Sequence, residues 1–514
     1  MPGLEVKKVG MLGVGSMGAM LTLLMAERGY EVYFFDPNEK NMTTLAEQAH
    51  AIQLSGRVHR SPSYVAVCAA LPPPRVLLLS TPHGDAADAC VTAAAPHLSA
   101  GDVVVDCGNE HWAATERRQR SLAESGAGVQ LVGCGVSGGY QSARAGPSMS
   151  PGGDAAALDA VMPFLRTLAA RDSRGRPCVA RVGPGGSGHY VKMVHNGIEQ
   201  GMMAAAAETW LLLTRGFGLG HDEVGGILRR WNDDASSPLR DCFLVAIGAD
   251  VERAREDDDG SGSGGGEHVV SQVRDTVVQD VDEEEGTGVW TCEEAIARHV
   301  PAASIVSAHL FRCASADLAR RQRNRQSASG GVRGRALSVG PEGREQFIEA
   351  LRTATYFCFL ACFAQGLDLI RQKDKDRGWG LDYREILQLW RGGCIIKAEH
   401  IADVLERLFS RPDHDPDDVL SNPEVGHELA RCFPAAKQVA LRAVEADLFV
   451  PVLTQTLEYY KYETSTELPT QFMEAQLDYF GQHMFDRKDD PVRGPVKGRH
   501  HHEWKPAKGS SDDK

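Results

Sequence analysis

Up to about residue 184 the apolar positions fall into short runs separated by glycine-rich or polar turns. Lys8–Leu12 is followed by Gly13-Val-Gly15-Ser-Met-Gly18, a helical stretch to Arg28 that Gly29 stops, and a second apolar run at Glu31–Phe35. This order predicts strand, glycine turn, helix and strand, the first βαβ unit of a doubly wound fold. Further strands are predicted at 75–80, Val103–Asp106 and 130–132, with helical or small-residue stretches such as 85–97 between them, giving a parallel sheet covered by helices. After Pro184-Gly-Gly-Ser-Gly the pattern lengthens into helical stretches, with no period-two run before Asp486. The expected architecture is a Rossmann-like α/β domain (1–186), a large all-α domain (187–486) and an extended C-terminal tail (487–514).

One helical run, HYVKMVHNGIEQGMMAAAAETWLLL, inverts the usual amphipathic logic. Lys192, His195, Asn196 and Glu199 stand at i, i+3, i+4 and i+7, on one stripe of the helix. Lysine and glutamate at such spacing ordinarily form a solvated ion pair. Here Met193, Val194 and Ile198 flank the stripe and the run continues into Met202 and Trp210, so the helix is expected to be buried and its polar groups to need partners. A base, an acid and two hydrogen-bonding groups on one buried stripe have the layout of a site.

Composition narrows the function classes. The 514 residues are enough for two or three domains. A formal net charge of −14 argues against a general affinity for nucleic acid or anionic membrane. No run of about eighteen consecutive apolar residues occurs, and a soluble, cytoplasmic protein is expected. The twelve cysteines never form CxxC, and Cys358 and Cys362 lie within an apolar helical run, so they read as small buried residues and no metal site is assigned, His500 to His502 included. Two segments, 257–267 and the basic 320–335, lack apolar residues and read as mobile, solvated insertions.

The glycine turn gains meaning from its place between a strand and a helix. Gly13 allows the tight turn, Gly15 lets a pyrophosphate approach the backbone, and Gly18 permits close packing of helix on strand, while Ser16 and Met17 open the helix that faces the phosphates. Asp36 ends the second strand, where a carboxylate holds the adenosine ribose hydroxyls and repels a 2′-phosphate, so NAD is expected over NADP. Ser80, Thr81 and Pro82 are expected to line the same crevice.

The segments VVDCGNEHWAAT (104–115), VGCGVSGGYQSARAGPSMSPGG (132–153), GSGHYVKMVHNGIEQG (186–201), GTGVWT (286–291), WRGGCIIKAEH (390–400) and LDYFGQH (477–483) resemble the 6-phosphogluconate dehydrogenase family, in order and over about residues 8 to 505. The resemblance implies oxidation of a sugar acid at C3 with hydride transfer to NADP, metal-free decarboxylation of the β-keto acid, and a homodimer whose tails are exchanged. It assigns Lys192 as general base and Glu199 as the acid that protonates C1. Burial favours the neutral lysine and the protonated carboxyl that those roles require. By the same resemblance Asn109, Ser137, Gly138, Gly139, His195 and Asn196 hold the sugar hydroxyls and carboxylate, with Asn109 also beside the cofactor, and Arg312 and His483 hold the phosphate.

Where the family places a tyrosine, a lysine and an arginine on that phosphate, this chain has Gln200, Glu285 and Leu477. An attraction becomes a repulsion at Glu285. Asp36-Pro37-Asn38 likewise replaces the family's Asn-Arg-Thr, which receives the NADP phosphate. Two other functions stay open beside the family reaction: NAD-dependent oxidation of an unphosphorylated 3-hydroxy sugar acid such as gluconate, and a non-catalytic paralogue that binds a nucleotide or a partner.

Overall fold

The computed structural model describes residues 5–256, 266–279, 286–339, 341–410 and 419–505, in two compact units, 1–457 and 458–514. Seven strands form one sheet: β1 (Lys8–Leu12), β2 (Glu31–Phe35), β3 (Val58–Arg60), β4 (Val76–Leu79), β5 (Val103–Asp106), β6 (Gln130–Ser137) and β7 (Ser148–Gly152), ordered β3-β2-β1-β4-β5-β6-β7. The six strands β1 to β6 pair in parallel, and β7 runs antiparallel to β6. Runs such as VLLL and the three valines that precede Asp106 are apolar because both faces are covered: Leu78 and Val105 face one core, Leu77, Leu79 and Val104 the other. The expected all-parallel sheet is thus corrected at its edge. Residues 148–152, where no strand is expected, pair with β6 through Gly133↔Gly152 to Ser137↔Ser148.

The central helix Ser187–Leu211 carries the polar stripe and lies along β6 and β7. It can do so because glycines line the contact. A Cβ at Gly188 would stand 2.2 Å from the Ser150 carbonyl oxygen and 2.3 Å from that of Gly133. At Gly133 it would meet the His189 ring at 2.8 Å, and at Gly135 the Lys192 Cβ at 2.2 Å. The long helix Pro341–Arg377 packs on the central helix, again through small residues, with Gly366 against Ile198 and Val194 and Gly201 against Cys362. That long helix is apolar enough to cross a membrane by length and composition, but 83% of its most apolar window is buried inside the protein, which makes it a core helix.

The second half is helical as expected, and no strand follows β7 among the described residues. The basic insertion departs from expectation. Leu318–Ser327 is a helix whose N-terminus is capped by the Asp317 side chain, and Arg321 pairs with Asp275 at 3.0 Å, so local capping and charge pairing supply what apolar burial does not. Most of the other insertion, 257–265, and Glu285 lie outside the described residues. Eleven of the twelve cysteines are buried, Cys358 and Cys362 among them, and Cys313 is exposed.

In the second unit the helix Thr470–Gly481 presents Asp478, fully buried, to the chain that follows. Its carboxylate accepts from the amides of Met484 and His502, from Trp504 Nε1 at 2.8 Å and from His501 Nδ1. Burial opposes ionisation there, and these donors overcome it, so the carboxyl is held well below its ordinary value. His500 pairs with Asp490.

The glycine-lined contact makes a direct prediction. Gly188→Ala places a methyl against two backbone carbonyls that cannot rotate away, and should destabilise the fold by about 1–3 kcal/mol, as overpacking does. The urea midpoint measures it, and an unchanged midpoint would show that the contact tolerates more room than this geometry gives.

Candidate active site

The two halves of the site sit at the C-terminal edge of the sheet. At β1 the backbone turns at Gly13 with φ +88, and a Cβ there would stand 2.4 Å from the Ser80 carbonyl oxygen, so only glycine fits. Gly18 is equally confined, 2.1 Å from the Gly13 oxygen, whereas Gly15 opens onto free space. Helix α1 (Ser16–Glu27) starts at Gly15 with no side-chain cap, leaving its first-turn amides for an anion. Ser80 donates its amide to Leu12 at 2.8 Å and so borders the turn, and the Thr81 hydroxyl is buried with no hydrogen-bond partner among the described residues. A closed turn, an open Gly15, uncapped amides and an orphaned hydroxyl fit a dinucleotide. Asp36 is buried at the rim: its carboxylate accepts from the amides of Val14 at 2.8 Å and Asn38 at 2.7 Å, and from Asn41 Nδ2.

The stripe stands at the other end of the crevice. Lys192, His195, Asn196 and Glu199 are brought together, and the first two are buried. Asn196 Oδ1 accepts from Lys192 Nζ at 2.6 Å and lies 3.1 Å from His195 Nδ1, while Asn196 Nδ2 donates to Thr287 Oγ1 at 2.9 Å. With the carboxamide so oriented, His195 carries its proton on Nδ1 and Nε2 is left as an acceptor, without a partner among the described residues. Burial holds this imidazole well below its ordinary range and the Lys192 charge adds to the effect, so it is neutral. Glu199 lies 3.7 Å from His195 and is partly exposed.

Lys192 packs on Gly135, two residues before Ser137-Gly138-Gly139. Ser137 is buried, and Gly138 and Gly139 have φ of +98 and +66. Asn109 follows β5 and is exposed at its end. The loops are fixed by residues that sequence reasoning missed. Buried Arg118 donates to Asp88 at 2.6 Å, Glu110 at 2.6 Å and the Gly84 carbonyl, and Glu110 in turn accepts from the Gly84 amide. His189 bonds Thr115 at 2.6 Å and the Asp106 carbonyl. Thr287 stood in a quoted motif, but nothing in its spacing marks it as the partner of Asn196.

The positions read as phosphate-binding are divided between the two units. Gln200 accepts from His309 Nδ1 at 3.2 Å and lies against Gly288. Arg312 lies on the same helix as His309, three residues on. His483 and Leu477 belong to the second unit, where His483 packs on Phe480.

A dinucleotide cradle and a lysine–asparagine–glutamate stripe with its lysine buried define the class as a nicotinamide-dependent oxidoreductase. Comparison with known proteins sharpens this. Residues 8–183 match the NAD binding domain of 6-phosphogluconate dehydrogenase, and residues 188–504 match the 6-phosphogluconate dehydrogenase C-terminal domain. The chain is 41% identical over 503 residues to the decarboxylating 6-phosphogluconate dehydrogenase of Emericella nidulans, covering 96% of this chain and all of that one. It is 32% identical to the NADP(+)-dependent decarboxylating enzyme of Bacillus subtilis, covering 97% and 99%. A solved structure of Plasmodium falciparum 6-phosphogluconate dehydrogenase, described with its cofactor NADP+ and its substrate 6-phosphogluconate, superposes with a TM-score of 0.84 at 28% identity, covering 97% of this chain and all of that one. The chain belongs to the 6-phosphogluconate dehydrogenase family.

The buried imidazoles make stability pH-dependent. His189 and His195 are held below 6.5 by burial, so near and below that pH the unfolded chain binds more protons than the folded one, and stability falls as the pH falls. The urea midpoint is expected to drop between pH 6.5 and 5, less steeply in His195→Asn. An equal slope in the variant would contradict the neutral imidazole.

Proposed function

We propose that the protein oxidatively decarboxylates 6-phosphogluconate to ribulose 5-phosphate and carbon dioxide. The observation that carries this reading is the Lys192–Asn196 bond at 2.6 Å, on one helical stripe with Glu199. The bound dinucleotide supplies the hydride acceptor. Lys192, held in place by Asn196, takes the C3 hydroxyl proton as hydride leaves C3, and neutral His195 beside it adds no competing positive charge. Loss of carbon dioxide from the β-keto acid leaves an enediol, and Glu199 delivers the proton to the former C2, which is C1 of the product. Asn109, the Ser137-Gly138-Gly139 turn and Asn196 hold the sugar hydroxyls and carboxylate, His195 Nε2 offers a further acceptor, and Arg312 and the His483 of an exchanged tail hold the phosphate.

NAD is the preferred dinucleotide on this reading, because the Asp36 carboxylate is fixed at the rim by Val14 and Asn38 and repels a 2′-phosphate. Relatives described with NADP make the comparison informative. A second substrate reading, an unphosphorylated acid such as gluconate, is favoured by Gln200, whose carboxamide is paired with His309 instead of presenting a cation or phenol. A cytoplasmic location suits twelve free cysteines.

Nicotinamide absorbance with 6-phosphogluconate and gluconate, each with NAD and NADP, tests these readings together. Turnover of 6-phosphogluconate with NAD as the better cofactor is expected, and Lys192→Met should lower kcat by about 10²–10⁴-fold while the urea midpoint stays near that of the parent. Activity with gluconate alone would transfer the reading to the unphosphorylated acid, and silence in all four would favour a non-catalytic role.

The tail is read as exchanged in a homodimer. Support comes from Phe472, Met473, Tyr479 and Phe480, which the helix Thr470–Gly481 leaves exposed as an apolar face. Light scattering should give twice the chain mass, and Phe480→Asp should shift it toward one chain; a monomeric parent would refute the exchange.

A further inference from the structure

Beside Asp36 the crevice rim holds a second charged arrangement. Helix α2 (Glu39–Ala51) begins at Asn38, whose side chain caps it, and Glu39 occupies its first turn. Arg60 ends β3, opposite Phe34 in the parallel register. Successive strand residues alternate faces, so Arg60 emerges on the face shared by Phe34, Asp36 and α2. Its Nη2 lies 2.5 Å from both carboxylate oxygens of Glu39. Asp36 is tied to the glycine turn through Val14, and Glu39 follows it by three residues, bringing the Arg60 guanidinium to the N-terminal turn of α2.

We propose that Arg60 is a latent anchor for the 2′-phosphate of NADP, and that Glu39 is a specificity-determining residue that keeps it occupied. This rests on the dinucleotide reading of the crevice. The pair is exposed, 46% for the arginine and 72% for the glutamate, and pairs of that kind contribute little to folding stability. Its effect is therefore on what approaches the rim. With Glu39 in place, a 2′-phosphate meets two carboxylates, Asp36 and Glu39, and an arginine whose charge is already answered. Without it, a guanidinium with free donors reaches into the same space, and an arginine fork matches a phosphate in geometry as well as charge. Discrimination against NADP thus has two separable parts: repulsion by Asp36, and sequestration of Arg60 by Glu39.

Isothermal calorimetry with NAD and with NADP, on the full chain and without substrate, separates them. The parent is expected to bind NAD more tightly. In Glu39→Gln the Kd for NADP should fall about tenfold, the scale of one charge-assisted contact, while that for NAD moves by about twofold or less. In the double variant E39Q/R60Q the gain should vanish, which distinguishes Arg60 from the general loss of a negative charge and from the neighbouring Lys40. The gain should also shrink in high salt. An unchanged NADP affinity in E39Q, or a gain that survives in E39Q/R60Q, overturns the proposal while leaving the dinucleotide reading intact. Binding of neither dinucleotide by any of the three proteins would overturn that reading, and this one with it.

Discussion

The close approach of the central helix to β6 and β7 is the constraint from which the site follows. Side chains ordinarily separate a helix from a sheet; here Gly133, Gly135, Gly152 and Gly188 remove them, and backbone meets backbone. The consequence is positional. His189 is pressed onto the end of β5 and Lys192 onto β6, just before the Ser137-Gly138-Gly139 turn, so the stripe enters the crevice at the level where the sheet ends. A bulkier strand would hold the helix off and leave the amine short of that edge.

Burial then decides the chemistry of the stripe. A lysine in this position needs a partner, and Asn196 supplies one without supplying a charge, since its carbonyl accepts from Lys192 while its amide donates to Thr287. The neutral state of His195 follows from the same burial and from the lysine beside it. Asn196 and Glu199 are partly open to solvent. The arrangement is a graded one, with the lysine enclosed and the glutamate at the opening. The long helix Pro341–Arg377 closes the other side, again through glycines.

What could be read in the sequence was whatever one element contains. β1, β2 and β5 have the predicted bounds because each is a contiguous apolar run between turns, and the stripe was visible because helical spacing places its members together. β3 escaped notice because VHR holds a single apolar residue, and β7 because SMSPG owes its strand form to pairing with β6. The basic helix 318–327 was misread because its cap and its Asp275 partner, not apolar periodicity, hold it. Relations between elements were likewise hidden. Thr287 lies 91 residues from Asn196 and His309 lies 109 from Gln200, and no spacing rule links them. At Asp36 the residue was legible, but its bond to the glycine turn was not.

The two ends of the crevice are mechanically linked through one buried cation. Arg118 holds the Gly84 loop that follows β4 and Glu110, next to Asn109, at the end of β5, with Asp88 and Asp106 completing the cluster. Burial opposes its charge, and the carboxylates outweigh burial, so the guanidinium is held more firmly protonated than usual. Removing one partner from such a cluster leaves uncompensated buried charge and costs far more than an exposed pair. The loop that would border the nicotinamide and the loop that would hold the sugar acid are therefore fixed as one body. Such coupling suits a reaction in which hydride donor and acceptor must meet at a single separation.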